Sequence, residues 1–224
     1  MKKYFEYRGV ENAVYARILE DSPEHFLTDI VKDFTGVSEI SKVTESVNEA
    51  HFYDNVPAIV VDSSGVDEIA INASGIPFPV LAEITGETYE EDTGELVEEE
   101  ADTGYFAFGY VTNKTDGTKV LVWRLKGKFS IPGTTSATKD SGTDANGQEL
   151  TFTGVTTIHR FNLTGRGARA VNIDTSLNPD ANMIEFFASV QTPDLVHTVV
   201  LQTAEGELLE TSSGFILAPG RAYT

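Results

Sequence analysis

The sequence predicts a mostly β protein, a β-sandwich or barrel-like fold with one or two short flanking α-helices. Apolar and polar residues alternate in run after run, the period-two mark of strands with one buried face. Clusters of Gly, Asp, Asn and Ser punctuate those runs at regular intervals, as turn residues do. Only two short stretches carry helix signals. That order suits a sandwich or barrel and not a parallel α/β sheet.

The first strand is expected in "KYFEYRGVENAVYARIL", where Tyr4, Glu6 and Arg8 oppose Phe5 and Tyr7 and the pattern restarts after Gly9. "SPEHFLTDIVKDFTG", Ser22 to Gly36, has no clean period and reads as a long loop. "VSEISKVTESV" alternates again, with Val37, Glu39, Ser41, Val43 and Glu45 opposite Ser38, Ile40, Lys42 and Thr44. "PAIVVDSSGVDEIAINAS" reads as two strands joined by a turn at Ser63-Ser64-Gly65. In "IPFPVLAEITGE", Pro77 and Pro79 suit a helix start and Gly86 its C-terminal cap, with Leu81 and Ile84 facing the core. "YFAFGYVTNKTDGTKVLVWRLKGKFSIP" is the clearest hairpin, turning at Thr115-Asp116-Gly117. A polar loop and the strand "LTFTGVTTIHRF" follow. The second helix is expected in "NPDANMIEFFASVQTPD", capped by Asn178, with Pro179 in its first turn and Ile184, Phe187 and Ala188 at helical spacing. The chain closes on a hairpin about Glu205-Gly206.

Charge narrows the function. The 224 residues carry a net charge of −19, and it is uneven: residues 1–112 hold 24 acids and 6 bases, residues 113–224 hold 11 acids and 10 bases. Such a field repels phosphate backbones and disfavours ordinary nucleic-acid binding. Cysteine is absent, which excludes disulfides and thiolate-ligated metals. The first residues lack the apolar run of a signal peptide, and no stretch approaches a membrane span. A protein made in a cytoplasm is expected, with no membrane partner.

No catalytic constellation stands out. Asp92-Thr93-Gly94 and Asp102-Thr103-Gly104 match the aspartic-protease triplet, whose two carboxylates share a proton in a dry cleft. Here each Asp has acidic neighbours in a polar surround, and the short separation cannot place them on two lobes. They read as turns. "DSGTDANGQE" offers Asp140, Asp144, Asn146 and Glu149 but lacks the flanking helices and final carboxylate of a calcium loop. The histidines, His25, His51, His159 and His197, are scattered, and no nucleophile elbow or phosphate loop occurs. Neither an enzyme nor a cofactor is expected.

The most unusual stretch is "TGETYEEDTGELVEEEADTG", Thr85 to Gly104, which holds nine carboxylates and no cation. So many like charges cannot be buried unpaired. The expectation is a projecting, solvated hairpin turning near Asp92-Thr93-Gly94 and exposing Glu90, Glu91, Asp92, Glu95, Glu98, Glu99 and Glu100, on an outer surface or rim.

At "FEYRGVENAVYA", "VSEISKVTESVNEAHFYDNVPAIVV", "LAEITG", "FAFGYVTNKTDGTKVLVWRLKGKFSIP" and "GTDANGQELTFTG" the chain resembles the major tail tube proteins of long, non-contractile-tailed bacteriophages. The resemblance covers most of residues 1–194. Residues 195–224 depart from it as an extension or a terminal strand pair of the same domain. It implies a virion protein whose six copies form a ring, with rings stacked into a tail tube through which DNA passes unbound. It also implies partners among other tail proteins (tape measure, terminator, distal tail) and assembly in the host cytoplasm. Six copies at −19 each carry −114. An acidic lining would let the genome slide, where a basic one would hold it. The Glu39, Ser41, Val43, Glu45 face is the expected lumen lining. In relatives a long loop near the N-terminus reaches the next ring, and Ser22 to Gly36 occupies that place, with Phe26, Leu27, Ile30, Val31 and Phe34 as apolar contacts. The rival expectation is a virion or cell-surface carbohydrate-binding module, using the C-terminal hairpin or the 134–149 loop.

Overall fold

The computed structural model describes residues 4–53, 56–99, 102–135 and 146–196, with 46–53, 56–64 and 196 described by backbone course alone. The strands are β1 Tyr7–Asp21, β2 Phe26–Thr28, β3 Lys32–Asp33, β4 Val37–Tyr53, β5 Val56–Ala73, β6 Thr88–Glu90, β7 Glu95–Val97, β8 Phe106–Lys114, β9 Lys119–Phe129, β10 Gly133–Thr134, β11 Gln148–Gly154 and β12 Ala170–Asp174. The helices are α1 Phe78–Thr85, α2 Met183–Ala188 and α3 Pro193–Val196.

Ten strands form one antiparallel sheet whose main path runs β2-β1-β8-β9-β11-β5-β4, and β6 pairs with β7 separately. The chain is mostly β, as its alternation requires. The sheet does not close into a barrel: among the described residues nothing pairs with the outer edge of β4. Instead it curls. Phe106, Phe108 and Tyr110 of β8, Ile69 and Ile71 of β5, and Phe152 of β11 all meet in one core with Tyr15 and Phe34. Helix α1 closes that core with Ile84, which is fully buried.

The middle of the sheet is apolar on both faces. Ala107 and Val111 of β8, with Leu121, Trp123 and Leu125 of β9, point away from the first core into a second one. Phe186, Phe187 and Val190 cover it, together with Phe161. Burying Trp123 leaves its indole N–H needing an acceptor, and it donates to the Phe186 carbonyl at 3.0 Å.

Several local expectations change. The turn at Ser63-Ser64-Gly65 does not exist; β5 runs straight through it, and the chain reverses between Tyr53 and Val56, which pair with each other. Ser64 pairs with Ser46 instead, at a register shift between Thr44 and Ser46. Gly65 marks a close approach at that bulge, since a Cβ there would stand 3.0 Å from the Glu45 Cβ. Segment 22–36 is not one long loop, because β2 and β3 both pair with β1. Their two or three residues are too few for a period to show. Among the described residues there are three short helices where one or two were expected, the third being a single turn. Asn178 does not cap α2; it accepts from the Ala181 N–H in a preceding turn. Asn182 caps it, its side chain accepting from the Ile184 N–H at 2.9 Å. The buried face is accordingly Phe186 and Phe187, while Ile184 is 78% exposed. Helix α1 follows expectation, with Pro79 in its first turn and Gly86 as a left-handed C-cap.

Candidate assembly surfaces

The distal half of the β4–β5 hairpin is the longest stretch of sheet with no third strand beside it among the described residues. Strand β11 pairs with β5 only from Ala73 back to Asp67. From Ser46 and Ser64 out to Tyr53 and Val56, among the described residues, the two strands pair with each other alone. At ~3.3 Å per residue this ribbon extends roughly 25 Å beyond Ser46 and Ser64. Two-stranded ribbons are marginal in water on their own.

Nearer the sheet, period two divides β4 cleanly. Ile40 packs on the core, and Thr44 reaches inward to Asp67. Glu39, Ser41, Val43 and Glu45 lie on the other side and are exposed. The adjoining strands continue that surface: Ser41 pairs with Ala70 and Val43 with Glu68, while Thr151 and Thr153 of β11 pair with the same two residues. Glu39, Glu45, Glu68 and Glu149 are all exposed there. This is an uncovered, acidic sheet face. The second core stops short of it because β9 carries a register shift between its pairs with Phe106 and Phe108, after which Lys128 lies against Thr153.

The residues expected to reach a neighbour from segment 22–36 part company. Phe34 is buried and stacks on Phe129 at 5.6 Å. Phe26 and Val31 pack on the second core, Phe26 with its ring edge-on to Phe161 at 5.8 Å. Leu27 and Ile30 are 52% and 71% exposed. These last two are the exposed members of the five; Phe26 and Val31 are half-buried.

The acidic stretch forms the β6–β7 hairpin, with Glu90 opposite Glu95 and the Gly94 N–H donating to the Glu90 carbonyl. Glu90, Glu91, Asp92, Glu95, Glu98 and Glu99 are exposed; Glu100 lies outside the described residues. Asp92 sits in the turn, and the fully exposed Asp102 is 3.6 Å from Lys128, so the two triplets do not share a cleft. Most of the 134–149 loop, and 197–224 with its expected hairpin, also lie outside the described residues. Among the described residues no group of three or more His, Asp or Glu is arranged to hold a metal, and no helix is long and apolar enough to cross a membrane.

One constellation escaped the sequence entirely. Asp67, its side chain 4% exposed, accepts from Thr44 Oγ1 at 2.7 Å and faces three cations. Arg169 Nη1 is 3.3 Å away, Arg124 Nη1 3.4 Å and Lys42 Nζ 4.0 Å. Arg124 and Lys42 line a cleft of about 550 Å³ with Tyr7, Ile40, Tyr110 and Val122. Elsewhere cations and acids match singly: Lys114 with Asp174, Lys119 with Glu11, Lys126 with Asp21. The Lys114 ammonium and the Ser176 hydroxyl and N–H hold the Asp174 carboxyl down to about 2. Arrangements of this kind secure a fold; none pairs a base with a nucleophile.

No protein-family model matches the chain, and no curated protein matches it significantly.

Proposed function

We propose that this protein is a self-assembling structural subunit, the building block of a phage tail tube in which rings of the chain stack around a DNA channel. The observation that carries this reading is the β4–β5 hairpin. Among the described residues no strand pairs with the outer edge of β4, and the distal ribbon has no third strand. An edge of that length invites pairing with another chain, and a ribbon of that reach gains support by lying on a neighbour. The acidic β4–β5–β11 face fits the channel wall, because a row of carboxylates repels a passing polyanion. The resemblance to tail tube proteins supplies the specific assembly, and the small, internally satisfied charge pairs favour scaffold over catalyst.

Electron microscopy and sedimentation velocity test the reading. The purified chain should form rings or tubes. Replacing residues 46–64 with a two-residue Asn-Gly turn should leave a cooperatively folded monomer that no longer polymerises. A wild-type chain that stays monomeric at all concentrations would refute the proposal.

A further inference from the structure

We infer that the cleft between Lys42 and Arg124 is a receptor for carboxylates, and that its occupant is the acidic β6–β7 tip of a second copy of this chain. This rests on the self-assembly reading above and specifies one of its contacts.

The cleft is cationic in a strongly anionic protein. Asp67 supplies one negative charge against Lys42, Arg124 and Arg169, whereas Lys114–Asp174 and Lys119–Glu11 are each neutral as pairs. Arg124 is also incompletely satisfied. Its side chain is 10% exposed, with Nη1 3.4 Å from Asp67 and Nη2 3.4 Å from the Tyr110 hydroxyl. Its Nε–H is buried and has no hydrogen-bond partner among the described residues. A largely buried guanidinium with long contacts on both terminal nitrogens is incompletely compensated and favours an additional anion beside it. Lys42, with a side chain 37% exposed, guards the opening and can follow an incoming charge.

The complementary surface is the β6–β7 turn, where Glu91 and Asp92 project from a hairpin with no cation of its own. The two surfaces cannot meet within one molecule. The hairpin base, through Glu98 and Glu99, sits beside Ile131 and Pro132, just past the end of β9. The cleft is lined by Val120, Val122 and Arg124, near the start of the same strand. At ~3.3 Å per residue the separation along β9 is roughly 25–30 Å, while the three-residue strands of the hairpin reach only about 10 Å. Unlike surfaces at opposite ends of one strand make a head-to-tail contact, which either closes into a ring or continues as a stack.

Sedimentation velocity across a concentration series, at about 50 mM and 500 mM salt, tests the pairing on the full chain. Lys42→Glu and the pair Glu91→Lys with Asp92→Lys should each weaken association at least tenfold. The protein carrying all three changes should recover most of it, because the charges have exchanged places. Lys42→Ser, which removes attraction without adding repulsion beside Asp67, should fall between, and each variant's thermal transition reports that it is folded. Association in the wild type that neither reversal changes, or losses that the combined variant does not recover, would overturn this contact and leave the assembly reading standing. A wild type that never associates would overturn both.

Discussion

The carboxylate of Asp21, at the end of β1, accepts a hydrogen bond from the Lys126 ammonium of β9 at 2.5 Å, with the two side chains 5% and 8% exposed. The same carboxylate takes the backbone N–H groups of Ile158 and His159, both within 3.0 Å. It therefore pins the 155–161 segment to the sheet. Burial alone would raise the Asp21 carboxyl, but those N–H donors and Lys126 outweigh it and hold it below the ordinary 3.8. Its contribution to stability is thus present above pH ~4 and is lost as pH falls through the lower folded-state value. Removing one partner of a buried pair costs about 3–5 kcal/mol. Asp21→Ala should lose that much in urea unfolding at pH 7 and show a flatter stability profile below pH ~4 than the wild type. An equal acid dependence in both proteins would contradict this account.

Gly109 lets α2 lie against the sheet. A Cβ there would come within 2.9 Å of Val14 Cγ2 and 3.0 Å of both Phe187 and Trp123. Gly109→Val forces these groups apart, at about 1–3 kcal/mol as overpacking. The expected signature is a lower melting temperature with a red-shifted Trp123 emission, as the indole gains water. Unchanged emission would mean the strain is absorbed elsewhere.

Within segment 22–36 stability and assembly should separate by residue. Phe34→Ala should cost about 3–5 kcal/mol, as a buried phenylalanine does. Leu27→Ser with Ile30→Ser should stay within about 0.5 kcal/mol of the wild type, as exposed sites do. If these two side chains contact a neighbour, the double variant alone should lose polymerisation. Normal tubes from it would assign the segment to its own domain.

Reversing the open sheet face should convert repulsion to attraction. Glu39→Lys, Glu45→Lys and Glu68→Lys together should leave unfolding nearly unchanged, since all three residues are exposed. The variant should bind duplex DNA in filter or anisotropy assays with an affinity falling steeply as salt rises. No gain at about 50 mM salt would mean that this face is closed to a polyanion.

What the sequence disclosed follows the range of the forces involved. The alternation in "VSEISKVTESV" marked Glu39, Ser41, Val43 and Glu45 as one face, and they are exposed together; the acidic hairpin and its turn were equally local. Serine and glycine at 63–65 mimicked a turn because a bulge and a turn draw on the same residues. Phe34 looked like loop surface because its partners, Tyr15, Phe108 and Phe129, come from three different strands. The three cations around Asp67 were invisible for the same reason: Lys42, Arg124 and Arg169 carry no common spacing until the sheet curls.

The pairing of β1 with β8, position 14 against position 109, also sets a schedule for synthesis. The first strand emerges from the ribosome bearing Val14, Tyr15 and Ala16, all buried in the finished protein. Among the described residues the only long strand that pairs with it is β8, and at ~5–20 residues per second that strand follows about 5–20 s later. Throughout that interval the nascent chain can build the β4–β5 ribbon, but around its own N-terminus only the short pairings of β1 with β2 and β3. Ribosome-bound chains halted before position 106 should be cleaved within β1 by a protease, and chains halted well after the end of β9 should resist.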